Sequence, residues 1–306
     1  MVEFMRNLLL GSLFLSLAGS IWGAMFIAVR CSIFVIAPIP LVWLRYGTAL
    51  LALLALMVLK KASWYIAPKD RKILLLSALI GQALSIVTQE TGTMLTSAQT
   101  GSVITAATPA FMVVFGCWLL KEKFTKARAL SVLLATVGVI FIVFDPDNIQ
   151  LNAWGGVSLF IAAVTWALMS VMLKFLAKYS VITLTFYAVL IAFIVLAPYS
   201  IWWLLKIGDF QAMSAPVVWG SVLYLGFVST TAGFCLWNKG LTYMDASIGG
   251  LFMFFQPVVG TFLGWWLLAE PITAYFWLGF ILIATGVILA LKGGNTTAKE
   301  KLARQI

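Results

Sequence analysis

Apolar runs of roughly twenty residues recur along this chain from end to end, and no other feature constrains its fold as strongly. A bilayer core ~30 Å thick takes about 20 helical residues to cross. Inside it a backbone has no water to bond with, so only structures that satisfy their own peptide groups can span. The runs predict ten helices, at 8–29, 39–59, 73–93, 97–119, 128–144, 154–173, 182–205, 216–237, 246–268 and 274–291. Composition agrees, with 63% of residues hydrophobic and 10% charged, against about 45–50% and about 25% in soluble domains. The expectation is an all-α membrane protein of ten transmembrane helices. The first run is too long for a signal-peptide core and reads as a retained helix.

The formal charge of +10 would suit a nucleic-acid partner, but the basic residues sit in short loops between apolar runs. With the N-terminus placed in the cytoplasm, seventeen of the twenty Lys and Arg fall inside, chiefly in Lys60–Lys72, Lys121–Arg128, Lys174–Lys178 and the tail. Arg30 and Lys206 fall outside, and Arg45 lies within a span. This positive-inside bias predicts a multi-pass protein of the cytoplasmic membrane with both termini cytoplasmic and no nucleic-acid partner.

Self-comparison is more informative. An offset of 148 residues aligns 98–140 with 246–288 without a gap, giving 14 identities in 43 positions. Pro109, Trp118 and Glu122 meet Pro257, Trp266 and Glu270, and three glycines pair. An offset of 144 pairs Trp22 with Trp166 and Arg30 with Lys174. Each half then holds five spans, and an odd number forces the halves to cross the membrane in opposite senses. The basic loops of the first half correspond to loops with one or no lysine in the second, as inversion requires. The predicted units are 1–148, 149–292 and a flexible basic cytoplasmic tail, 293–306. An inverted repeat of this kind is the architecture of alternating access, with the substrate near the midplane.

Ionisable groups within spans are costly and mark candidate sites. Arg45 and Glu90 both belong to the outer half of the membrane, close enough for a pair, either to hold a substrate's charged groups or as a structural ion pair. Tyr46, beside Arg45, joins it as a candidate. Trp22 and Trp166 lie mid-span, away from the interfaces that tryptophan favours, and could wall a pocket or simply pack. Gln82, Gln89 and Asn238, with Ser229, Thr230 and Thr231, make the third and eighth spans unusually polar. Pro109 and Pro257 are expected mid-helix as paired hinges, each freeing a carbonyl to a cavity beside Thr108 and Gln256. Gly19/Gly23 and Gly260/Gly264 are spaced for close helix approach.

These residues resemble the drug/metabolite transporter superfamily, specifically its EamA-like ten-helix branch. The match runs through Ile21-Trp22-Gly23, Arg45, Pro109, Leu119–Glu122 and Gly138-Val139-Ile140, then Pro257, Leu267–Glu270 and Gly286-Val287-Ile288. It covers essentially the whole chain, making 1–148 and 149–292 two EamA-like repeats. The resemblance implies export or exchange of amino acids, related metabolites or drugs through a cavity formed by spans 1, 3, 4, 6, 8 and 9. Spans 5 and 10 would be peripheral, and the blocks at Glu122 and Glu270 would end helices and shape loops. Glu90 is not a position the family pattern requires.

Other classes fare worse. The chain has no histidine, so a His-ligated metal or a Ser-His-Asp triad is impossible. Cys31, Cys117 and Cys235 lie in apolar segments as small hydrophobes. No G-x-x-x-x-G-K-[ST] loop occurs, so ATP does not drive it directly. No cofactor, metal site or catalytic residue is expected. The reading is a secondary transporter, exporter or facilitator, of a small metabolite, with proton coupling as an option, acting as a monomer or homodimer. A channel, a sensor or an intramembrane lipid-modifying enzyme are the alternatives. In a cysteine-free background, Lys61→Cys should react with an impermeant maleimide only in inside-out vesicles and Lys206→Cys only in right-side-out vesicles; the reverse pattern would invert the orientation.

Overall fold

In the computed structural model, residues 2–96, 101, 104–105, 107–143, 153–268 and 277–289 except 280, 283 and 287 are described. The linker 145–152, the block at Glu270 and the tail 293–306 lie outside them. The helices are α1 (Val2–Ser32), α2 (Pro38–Leu59), α3 (Pro68–Leu95), α4 (Thr108–Leu120) and α5 (Lys126–Val143). The second half gives α6 (Ala153–Leu173), α7 (Val181–Lys206) and α8 (Pro216–Leu241). Then come α9, built from Ala246–Gly250, Leu251–Phe254 and Phe255–Leu268, and α10 (Trp277–Gly286). Six described helices are long and apolar enough to cross a bilayer, and the shorter α4, α9 and α10 are apolar too. The described residues thus form an all-α membrane protein whose ten helices fall into two inverted halves.

The inversion is visible in single contacts. On α3, Gly92 lies against Gly155 and Leu159 of α6; on α8, Gly240 lies against Gly11 and Leu15 of α1. Gly92 and Gly240 are 148 apart, while Gly11 and Leu15 precede Gly155 and Leu159 by 144. The two sequence offsets therefore recur as one geometric operation. A Cβ on Gly92 or Gly240 would sit 2.5 Å from a leucine Cγ, so only glycine lets these backbones approach. Without a water-driven hydrophobic effect between helices, such close packing is a main source of cohesion in a membrane. The predicted small-residue seam on α1 behaves likewise, since Cβ atoms on Gly19 and Gly23 would lie 2.6 Å from the carbonyls of Phe252 and Gln256 on α9.

Pro68 and Pro216, also 148 apart, open α3 and α8 in the first turn, where a missing N–H removes no helical bond. About ten residues on, each helix widens into a π segment, Ala78–Ser85 in α3 and Tyr224–Ala232 in α8. Such segments free backbone groups and concentrate at functional sites.

Of the two prolines expected mid-helix, one is placed differently. Ala107 lies in a turn, and Pro109 stands in the first turn of α4. Pro257 follows a 3₁₀ stretch, Leu251–Phe254, at the start of the long segment of α9. Pro257 thus lies within the continuous helical run 246–268, as expected, whereas Pro109 begins α4 after the turn at Ala107 rather than bending a continuous helix. The reason is that a helix-start proline sacrifices no intrahelical bond, whereas a mid-helix one does.

Loops that the charge count puts on one side do meet at one end, here termed the basic end. Lys178 pairs with Asp70 at 2.7 Å, Tyr179 donates to Asp70 at 2.5 Å, and Thr183 donates to the carbonyl of Ser63. The hydrogen bond to Asp70 raises the pKa of Lys178. Lys121 adopts a left-handed conformation, φ 54°, and turns Glu122 back toward α9. There the carboxylate accepts from the backbone of Ala246 at 2.8 Å and of Ser247 at 3.2 Å, and from the Ser247 hydroxyl. The first half thereby satisfies the open N–H groups at the start of α9 in the second. Arg128 reinforces the clamp by pairing with Asp245 and lying 3.5 Å from Glu122.

Gly92→Val and Gly240→Val should each lower stability by about 1–3 kcal/mol through overpacking, read as a lower thermal midpoint in detergent. Gly220→Ala, which has open space around it, should be neutral or slightly stabilising.

Candidate central cavity

Four aromatic rings meet where the halves face each other. Trp22 of α1 and Trp166 of α6, the repeat-equivalent pair, stand edge to face with centroids 5.2 Å apart. Phe234 of α8 contacts both, at 5.8 and 5.4 Å, and Trp237 lies 5.3 Å from Trp22. Edge-on pairs set the positive ring rim against the negative face and contribute about 0.5–1.5 kcal/mol each. The indole N–H of Trp22 donates to the carbonyl of Ser229, 3.0 Å away in the π segment of α8. That of Trp237 donates to Ser170 at 3.1 Å. The Trp166 N–H is buried and has no hydrogen-bond partner among the described residues.

Beside these rings lies a narrow, partly open cavity lined by Trp22, Met25, Arg45, Ile86, Gln89, Trp166, Phe234, Met253 and Gln256. Its walls come from α1, α2, α3, α6, α8 and α9. Among the described residues no side chain of α4 contributes, while α2 enters through Arg45. Two glutamines, one arginine and one unbonded indole N–H supply the polar groups of an otherwise apolar chamber. A few placed polar groups in an apolar, concave wall is the usual make-up of a small-molecule site.

Arg45 is fully buried and held on every edge. Its Nη1 pairs with Glu90 Oε1 at 2.7 Å, its Nε donates to Thr230 Oγ1 at 3.0 Å, and its Nη2 donates to Ser229 Oγ at 3.2 Å. The sulfur of Met25 lies 3.8 Å from both terminal nitrogens. Here the π segment of α8 has a clear purpose. Thr230 donates its own hydroxyl proton to the carbonyl of Leu225, five residues back, which leaves its oxygen free to accept from Arg45. Glu90 Oε2 is buried with no hydrogen-bond partner among the described residues.

The expected site residues therefore divide. Trp22, Arg45, Gln89, Trp166 and Gln256 converge on the cavity, and Glu90 stands behind Arg45. Tyr46 and Gln82 pair with each other instead: the Tyr46 hydroxyl, fully buried, donates to the Gln82 carbonyl at 2.7 Å, with the side-chain oxygen at 3.1 Å. Asn238 donates to Thr185 at 3.2 Å and lines a separate small pocket with Lys174 and Ser170. Thr108 and Pro109 are buried at the start of α4 and are not among the lining residues; Pro257 is buried next to Gln256. Met25, Ile86, Phe234 and Met253 were not anticipated, because nothing distinguishes them from other apolar residues of a membrane helix.

The EamA-like transporter family model matches residues 9–144 and 153–292. The chain belongs to the EamA-like transporter family. It is 27% identical over 281 residues to an uncharacterized transporter of Archaeoglobus fulgidus, covering 91% of this chain and 97% of that one. It is 25% identical over 289 residues to a probable amino-acid metabolite efflux pump of Escherichia coli K12, covering 89% and 92%. A putative permease-like protein of Bacillus subtilis, YdzE, is 59% identical over 78 residues, 26% of this chain and the whole of that one. A solved crystal structure, 16% identical, superposes with a TM-score of 0.77 over 94% of this chain and 98% of its own, a likeness of fold. This EamA-like chain is thus a membrane transporter.

Removing one partner of a buried ion pair strands the other. Arg45→Ala should destabilise the folded protein by about 3–5 kcal/mol, whereas replacing both Arg45 and Glu90 by Met should be near neutral. Thermal unfolding in detergent compares the two.

Proposed function

We propose that this EamA-like protein is a secondary transporter, an exporter or facilitator, that carries a small amphipathic metabolite such as an amino acid across the cytoplasmic membrane. The observation that supports this most is the cavity between inverted halves, walled by the repeat-equivalent Trp22 and Trp166 and carrying Arg45, Gln89 and Gln256. Its aromatic and thioether walls suit an apolar body, and its polar groups suit a charged or hydrogen-bonding head. The likeness to a probable amino-acid metabolite efflux pump points the same way.

In this reading units 1–148 and 149–292 rock against each other by alternating access, with both termini and the tail 293–306 cytoplasmic. The clamp of Glu122 and Arg128 on the start of α9 holds the basic end closed and has to release for that side to open. Glu90 is the proton acceptor if transport is proton-coupled, and the working unit is a monomer or a homodimer. The chemistry is passage rather than catalysis.

Purified protein in liposomes should show saturable counterflow of a labelled amino acid, and Trp166→Ala should raise its half-saturation constant at least tenfold. Flux that is linear in concentration and shows no counterflow would favour a channel, and binding without flux would favour a sensor.

A further inference from the structure

We propose that Glu90 fixes the charge class of the substrate: by neutralising Arg45 it makes the cavity select solutes of zero net charge, above all zwitterions. The proposal rests on the transport reading and deepens it. Arg45 is the one charged side chain among the lining residues, and Glu90, on the neighbouring helix, is its buried counter-ion. Together they present a dipole and no net charge. An anion entering alone would meet an Arg45 already satisfied by Glu90, Thr230 and Ser229, and would leave the buried site with an excess negative charge. Uncompensated charge in a low-dielectric interior is strongly disfavoured. A cation would leave the opposite excess.

A zwitterion adds none, and its dipole can align against that of the pair. Its carboxylate end turns toward the guanidinium, and its ammonium end is oriented by the field of Glu90, which stands behind Arg45 with its Oε2 buried and without a partner among the described residues. That orphan acceptor is the second observation, because a buried carboxylate oxygen is ordinarily satisfied. The second half carries nothing comparable. At the offset of 148 residues Glu90 corresponds to Asn238, and α7 has no charged residue before Lys206. The charge selection is thus supplied by one half alone. Glu90 acts through Arg45 and is a positioning residue, so the telling readout is the order of preference among charge states rather than activity.

The probes are L-phenylalanine, N-acetyl-L-phenylalanine and L-phenylalaninamide at about pH 6, where they are zwitterion, anion and cation. Their shared ring suits the Trp22–Trp166 wall. Binding to the full-length protein in detergent is measured by calorimetry and checked by competition in liposomes. Wild type should prefer the zwitterion to both others by at least tenfold. Glu90→Gln should reverse the order in favour of the N-acetyl anion, and Glu90→Asp should keep the zwitterion first. If Glu90→Gln does not fold, the Arg45→Met/Glu90→Met double variant decides, and its affinities for the three probes should fall within about threefold of one another, the pair's net contribution having been removed. A wild type that binds the anion as tightly as the zwitterion overturns the assignment, as does an unchanged preference in Glu90→Gln or in the double variant. A wild type that binds none of the three but transports another solute refutes the zwitterion selection alone. One that neither binds nor moves any solute removes the transport reading, and the selection with it.

Discussion

Inside a bilayer every polar group has to find its partner within the protein, and that single constraint organises the molecule. It makes the chain helical, since a helix closes its own peptide bonds. It also governs the places where the helices depart from regularity. The π segment of α3 offers the Gln82 carbonyl, and Tyr46 takes it; the π segment of α8 offers the Ser229 carbonyl, and Trp22 takes it. Where α9 begins, its bare N–H groups are met by Glu122 from the other half. Each irregularity is thereby a bond between helices, and several of those bonds join the two repeats.

The same constraint explains the contrast between scaffold and chemistry. The scaffold obeys the internal symmetry closely, down to Gly92 on α6 and Gly240 on α1. Backbone proximity costs nothing in charge, so both halves keep it. Charge is different. A buried ion pair is expensive unless fully bonded, and the most deeply buried one among the described residues, Arg45 with Glu90, lies on α2 and α3, held by hydroxyls from α8. Symmetry supplies the walls of the cavity, and its breaking supplies the charge.

Much of the site was legible. Trp22 and Trp166 stood out because tryptophan mid-span has no interface to anchor, and Arg45 because charge in a span needs a reason; all three reach the cavity with Gln89 and Gln256. Tyr46, Gln82 and Asn238 drew attention for the same polarity, yet satisfy one another or Thr185. Sequence reports that a polar group must be bonded but not to what, so a pair of buried partners and a pair of ligand-binding groups look identical. Pro109 misled in a related way. Its type signals an interrupted helix, whereas whether the break precedes or follows it depends on which segment packs where.

By itself the sequence determined the solvent, the helices, the even number of crossings and the inverted repeat. Those depend on local apolar length, loop charge and chain duplication, which are properties of residues in order. Only the tertiary structure decided which faces turn inward, where α3 and α8 widen into π segments, and that Ser229, Thr230 and Glu90 converge on Arg45. These depend on contacts between residues far apart in the chain, with hydrogen bonds spanning as many as 207 positions, Trp22 with Ser229, and helical periodicity carries no record of them when both lipid and core are apolar.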